Sequence, residues 1–187
     1  MGNRGGALHN EAREIVRPFK SRRWITCLLE FKGRRRSVMS LGRYTELFFL
    51  DEAVSLAAGH RPCAECRRER FNAFREAWKR WRGLDCSQSL LADEMDAELH
   101  RHRIDRQRKK VTYDALVDSL PDGCFVQIDR ANYLLWKGSL FLWTPEGYTK
   151  KDCRITGSKV TVLTPEPIVQ CIRQGYTPEI HASSLAF

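Results

Sequence analysis

The longest periodic stretch of the chain is CRRERFNAFREAWKRWRG, residues 66–83. Phe71, Phe74, Trp78 and Trp81 recur at helical spacing and form one apolar stripe. Arg68, Arg75, Lys79 and Arg82 form a second, basic stripe, and Gly83 is placed to stop the helix. Upstream, LDEAVSLAAG predicts a short helix. Asp51 and Glu52 suit its first turn through the helix dipole, and Gly59 suits its end. Pro62 fits the opening of the next helix. LLADEMDAELHRHRI predicts another helix, with Leu91, Met95, Leu99 and His102 on one side. TYDALVDSL predicts a short one, followed by a turn at PDG.

Elsewhere the period shortens to two. In RRWITCLLEFKGRRRSVMSL, Ile25, Cys27 and Leu29 alternate with Thr26, Leu28 and Glu30. Lys32-Gly33 can turn the chain and Ser37 to Met39 can return it, which predicts an N-terminal hairpin. YTELFF predicts a short strand. In the last third, CFVQID and KVTVL predict strands, and YLLWKGSLFLW a hairpin through Lys137-Gly138. TPEPIVQCIRQG predicts a helix with Thr164 as N-cap, Pro165 at the first position and Gly175 as stop. The expected fold is a single α+β domain over residues 1–187, with central helices and an antiparallel sheet in the C-terminal third.

Composition adds limits. The 187 residues are 42% hydrophobic and 29% charged, as in ordinary globular proteins. No run of 18 apolar residues occurs, so no membrane-spanning helix is expected. The opening residues lack an apolar export segment, so the expected location is cytoplasmic. Seven cysteines in that setting read as reduced thiols. Cys27, Cys86, Cys124, Cys153 and Cys171 are scattered and read as small buried hydrophobes. The net charge is +9, and it is uneven. Residues 1–82 hold 19 Lys and Arg against 9 Asp and Glu, while residues 83–187 hold 13 against 14. A basic half beside a near-neutral half suggests a face directed at a polyanion, DNA or another nucleic acid. The expected contacts are Arg34, Arg35 and Arg36 past the hairpin turn, with Arg67, Arg68, Arg75, Lys79 and Arg82 on the long helix.

Cys63 and Cys66 form a C-x2-C where a loop enters that helix. Two such thiolates can converge on one zinc ion, and the helix N-terminus favours their charge. A closed structural site needs four ligands, and this pair supplies two. The stretch LFFLDEAVSLAAGHRPCAECRRERF resembles the second half of the Ada-type metal-binding module of DNA alkylation-repair proteins, over residues 44–70. Phe48, Phe49, Glu52, Ala53, Ala58, Gly59, Arg61, Pro62, Cys63 and Cys66 carry the resemblance. It implies zinc held by Cys63 and Cys66, and a DNA partner. The family's first cysteine pair, which includes a methyl-accepting thiol, falls at Phe31 to Arg36, where this chain has no cysteine. Methyl transfer is therefore not implied. Cys27 and His60 are the candidates to complete the set, with His9, His100 and His102 as the other imidazoles. A retained local fold without zinc is the competing reading.

Asp96 and His100 share a helix face at i, i+4 and could begin a general base. The Gly-rich opening GNRGGALHN could bring backbone amides to an anion. Three functions follow. The first is a nucleic-acid-binding protein, DNA-directed, with a zinc-stabilised element. The second is a DNA-processing enzyme, a repair or defence glycosylase or a nuclease, using Asp96 and His100. The third is a protein-interaction module with a structural zinc.

Overall fold

A computed structural model of the chain describes residues 1–33, 37–85, 87–153 and 156–186. In chain order its elements are β1 (Gly2–Asn3), β2 (Ile25–Thr26), α1 (Glu52–Ala57), β3 (Arg61–Pro62), α2 (Arg68–Arg82) and α3 (Ala92–Arg103). Then come β4 (Tyr113–Leu116), β5 (Phe125–Ile128), β6 (Ala131–Trp136), β7 (Ser139–Thr144), β8 (Gly147–Cys153), β9 (Lys159–Val162) and α4 (Glu166–Arg173). The fold is α+β, as the sequence predicts. β4 to β9 form one six-stranded sheet in the order β4-β9-β5-β6-β7-β8, antiparallel throughout. β1, β2 and β3 form a small second sheet.

The large sheet is covered on both faces, because its central strands alternate between two cores. Val126, Leu135, Leu140 and Val162 pack with Phe74, Trp78, Met95, Leu99 and Ile168, which come from α2, α3 and α4. Phe125, Leu134, Phe141 and Tyr148 pack with Ala53 and Ala57 of α1. Burial on both sides explains why YLLW and SLFLW read as nearly continuous apolar runs. The aromatic stripe of α2 is core, with Phe71, Phe74 and Trp78 buried. The turn between β6 and β7 has φ of +49° at Lys137 and +70° at Gly138. Two positive φ angles match the twist of the flanking strands in a tight hairpin.

Several expectations change. No hairpin forms over residues 23–39 among the described residues. Ile25–Thr26 pairs antiparallel with Gly2–Asn3 and parallel with Arg61–Pro62 instead. In YTELFF a single bridge joins Leu47 to Gly2. TYDALVDSL is β4 followed by a 3-10 turn, not an α-helix. Pro62 ends in β3, and α2 begins at Arg68 after a turn. Thr164 does not cap α4; its hydroxyl accepts from Phe125 N–H at 2.9 Å. Leu91 is exposed and Arg103 is buried. Cys124 and Cys171 are buried as expected, Cys153 is exposed, and Cys86 lies outside the described residues.

Glu52 ties the two halves together. Its side chain is 1% exposed. It accepts from the Arg70 guanidinium, from Tyr176 OH at 2.7 Å and from Glu179 N–H at 3.0 Å. Arg67 adds a 3.5 Å contact. Replacing this buried carboxylate takes the shared charge from Arg67 and Arg70 and leaves them only the more exposed Glu179 as an acidic partner. Glu52→Gln is therefore expected to cost about 3 kcal/mol, read by urea unfolding. A loss below about 0.5 kcal/mol, the range of an ordinary surface change, contradicts this role.

Candidate metal centre

Three sulfurs converge where the small sheet meets the start of α2. β2 and β3 run parallel with Thr26 opposite Pro62. The next residue on each strand is a cysteine, so Cys27 and Cys63 emerge side by side. Cys63 N–H donates to Thr26 O at 2.9 Å and fixes this register. The chain then turns through residues 64–67 and returns Cys66 to the same point. The sulfurs of Cys27, Cys63 and Cys66 all lie within 4.8 Å of one another. Tetrahedral zinc–thiolate geometry separates sulfurs by about 3.8 Å, from bonds of about 2.3 Å. A small inward movement therefore suffices to hold a metal ion.

The surroundings favour the thiolate at Cys63 and oppose it at Cys27 and Cys66. Leu28 N–H donates to Cys66 Sγ at 3.4 Å, and Glu65 N–H donates to Cys63 Sγ at 3.4 Å. Cys63 is the acidic member of the set. A hydrogen bond from Cys27, aided by backbone amides, holds its pKa below the usual thiol range, against the opposing effect of burial. The same hydrogen bond and burial push Cys27 up. Burial also raises Cys66. Three thiolates leave one tetrahedral position. A cavity of about 190 Å³ adjoins the three cysteines, and Tyr44, Glu46 and Glu65 are among its lining residues. Glu46 is steadied by Met39 N–H, which donates to it at 2.8 Å.

Of the two weaker candidates, Cys27 joins the cluster and His60 does not. His60 is fully buried and packs against Trp24 and Phe49, with ring centroids 5.3 and 4.8 Å away. Burial drives its pKa well below the ordinary imidazole value. It serves as an aromatic plug between the two strands. Asp96 and His100 are not joined by a hydrogen bond among the described residues. Asp96 gives both carboxylate oxygens to buried Arg61, at 2.9 and 2.7 Å. His100 packs edge-on against Phe19, with centroids 4.8 Å apart. Shared helical phase is present, but each side chain is claimed by a different element.

The basic stripe is largely paired. Arg67 contacts Glu52 and Glu179, Arg75 contacts Glu76 at 3.6 Å, and Arg82 contacts Glu98 at 3.3 Å. Lys79 is buried, and Arg68 is exposed. Arg34, Arg35 and Arg36 lie outside the described residues. The fold instead gathers a mixed set of charges that sequence reasoning missed. A broad groove of about 1010 Å³ is lined by Cys27 and Cys63, by Gly5 and Gly6, by Arg22, Arg23 and Arg43, and by the acids Glu65, Asp93 and Asp96. Arg23 pairs with Asp93 at 3.1 Å, but both side chains are mostly exposed, so the pair neutralises little. Arg22 and Arg43 form no ion pair among the described residues. No protein-family model, curated protein or solved structure matches this chain.

The three thiols give a direct test. Cobalt(II) added to the reduced protein is expected to produce a thiolate-to-cobalt charge-transfer absorption. Cys27→Ser and Cys63→Ser should each abolish or strongly weaken it. An undiminished band in Cys27→Ser contradicts the three-sulfur site, because Cys63 and Cys66 alone then account for it.

Proposed function

We propose that the protein binds nucleic acid, with DNA as its partner, and that zinc at Cys27, Cys63 and Cys66 holds the binding module together. The observation that carries this reading is the groove that joins Cys27 and Cys63 of the thiol cluster to Arg22, Arg43, Gly5 and Gly6. Thiolate-rich tetrahedral sets select zinc among the common divalent ions. No carboxylate or imidazole of the described residues completes the set within 4.8 Å, so the fourth donor would be a water in the adjoining cavity. The ion would clamp β2 to the start of α2, and so fix the segments that flank the groove. This agrees with the resemblance of residues 44–70 to the Ada-type module, with Cys27 in place of that family's upstream pair.

Arg22 and Arg43 form no ion pair among the described residues and line the same groove as Gly5 and Gly6, a combination that suits phosphates. Phosphate contacts release condensed counterions, so affinity should fall steeply as salt rises. The glycosylase or nuclease alternative gains nothing from Asp96 and His100, which face different partners.

Purified protein is expected to carry one zinc per chain by elemental analysis, and Cys63→Ser to carry none. In a DNA-binding titration, the double variant Arg22→Ala, Arg43→Ala should weaken affinity and make the log–log salt slope shallower by about 2. Absence of DNA or RNA binding by the wild type at low salt overturns the nucleic-acid reading. Zinc-free wild-type protein overturns the metal.

A further inference from the structure

A second cavity, of about 520 Å³, is lined in part by Arg4, Pro18 and Trp24 of the N-terminal segment. Its walls come from α1, the C-terminal end of α3 and the chain after it, the large sheet, and residues 4–24. That volume is in the usual range for small-molecule sites, about 300–1,000 Å³. Four cations line it, Arg4, Arg103, Arg108 and Lys110, and no carboxylate does.

Three of these cations donate to backbone carbonyls and none to a carboxylate among the described residues; Arg103 also meets His100 Nδ1 at 3.4 Å. Arg4 donates to Pro18 O at 3.1 Å, and its Nε, shielded from solvent, has no partner. Arg103 is 1% exposed and donates to Gly59 O at 2.7 Å and to Arg22 O. Its Nε also lacks a partner. Lys110 has solvent along its length, yet its ammonium reaches inward and donates to Ala57 O at 2.6 Å. The Arg4 and Arg103 guanidiniums lie 4.0 and 4.2 Å from the Trp24 ring centroid. The nearby carboxylate of Asp96 is already committed to Arg61. Burial lowers the pKa of Arg103 to about 9, and burial with the charge of Arg4 lowers Lys110 to about 8. Gathering cations in a sheltered place without a counter-charge is costly. An anionic ligand offsets that cost.

The rest of the lining is not that of a bare phosphate site. Val54, Ala57, Phe125, Leu163 and Trp143 supply apolar and aromatic wall. The Trp143 indole N–H is shielded and has no acceptor. Gln127 Nε2 donates to Asn132 Oδ1 at 3.1 Å. That bond leaves a carbonyl on Gln127 and amide N–H groups on Asn132, an acceptor and a donor on paired strands. Such a pair can meet the edge of a heterocyclic base.

We infer that this cavity binds a phosphorylated nucleoside, with the phosphate held by Arg4, Arg103 and Lys110 and the base held against Trp143, Gln127 and Asn132. Its source is either a free nucleotide or one nucleotide extruded from a bound strand. The inference does not depend on zinc or on the groove at Arg22 and Arg43.

The test is a fluorescence and thermal-shift titration with four probes on the full chain. The probes are the common ribonucleoside 5′-monophosphates, the matching nucleosides, inorganic phosphate and a single-stranded oligodeoxynucleotide. At least one monophosphate is expected to bind about tenfold or more tightly than phosphate or nucleoside alone, since joining the two halves makes the second contact intramolecular. Lys110→Met should lose about tenfold in affinity, the removal of one charge-assisted contact, without lowering the melting temperature of the ligand-free protein. Trp143→Phe keeps the packing and removes the indole N–H, and should also weaken binding. If monophosphates do not bind but oligonucleotide binding drops in Lys110→Met and Trp143→Phe, the nucleotide comes from a strand. The inference is overturned if neither ligand depends on Lys110 and Trp143, or if phosphate alone binds as tightly as every monophosphate.

Discussion

The carboxylate of Glu52 is the constraint on which most of the arrangement rests. Its neighbour Asp51 works with it. One Asp51 oxygen accepts from Val54 N–H at 2.8 Å and caps α1, while the other accepts from Tyr148 OH at 2.7 Å and His181 N–H at 3.0 Å. Two successive acids at one helix start therefore bind the sheet, the C-terminal tail and the start of α2. Acids are favoured there by the helix dipole, but the dipole is the smaller part of their role. Arg67, held by Glu52 and Glu179, directly follows Cys66. The tail thus reaches the sulfur cluster through a single side chain.

The second constraint is the parallel pairing of β2 and β3. It is two residues long and looks negligible as a sheet. Its effect is to bring position 27 beside position 63 across a long stretch of chain. His60 and Trp24 stand just before the two strands and pack on each other. Gly59, at φ of +82°, lets Arg103 pass close behind them; a Cβ there would lie 2.7 Å from Arg103 Cδ. Arg61 then latches β3 to α3 through Asp96. Each residue from 59 to 63 has a separate structural task, which accounts for the density of unusual residue types in AAGHRPC.

Elements governed by local pattern were legible in the sequence. The stripe of α2, the Gly83 stop, α1 with its acids, and the Lys137-Gly138 hairpin all follow from spacing and turn chemistry. Residues 113–120 misled because Tyr113, Leu116, Val117 and Leu120 fall at helical spacing. That spacing arises there from a short strand running into a 3-10 turn. β8 escaped notice because GYTKKDC is an edge strand with mostly exposed polar residues beyond Gly147 and Tyr148. The third sulfur was legible only as a candidate, since Cys27 sits in a strand whose partner is distant in sequence. The fate of the α2 arginines was not legible at all. Arg67 meets Glu179, 112 residues away, and no local rule reports such a pairing.

Charge gives the last link. Some α2 cations meet acids, Arg70 with Glu52, Arg75 with Glu76 and Arg82 with Glu98. Other cations line the two cavities, Arg22 and Arg43 in one, and Arg4, Arg103 and Lys110 in the other. Arg103 bonds the carbonyls of Arg22 and Gly59. Those carbonyls lie just before β2 and β3, the two strands that present Cys27 and Cys63. Arg103 is thus held between an anion-attracting cavity and the strands that set the sulfur positions. Neutralising it from the cavity side would relieve the repulsion it shares with Arg4 and Arg61. Arg103 thus links the cavity lining to the segments that lead into β2 and β3, the strands before Cys27 and Cys63.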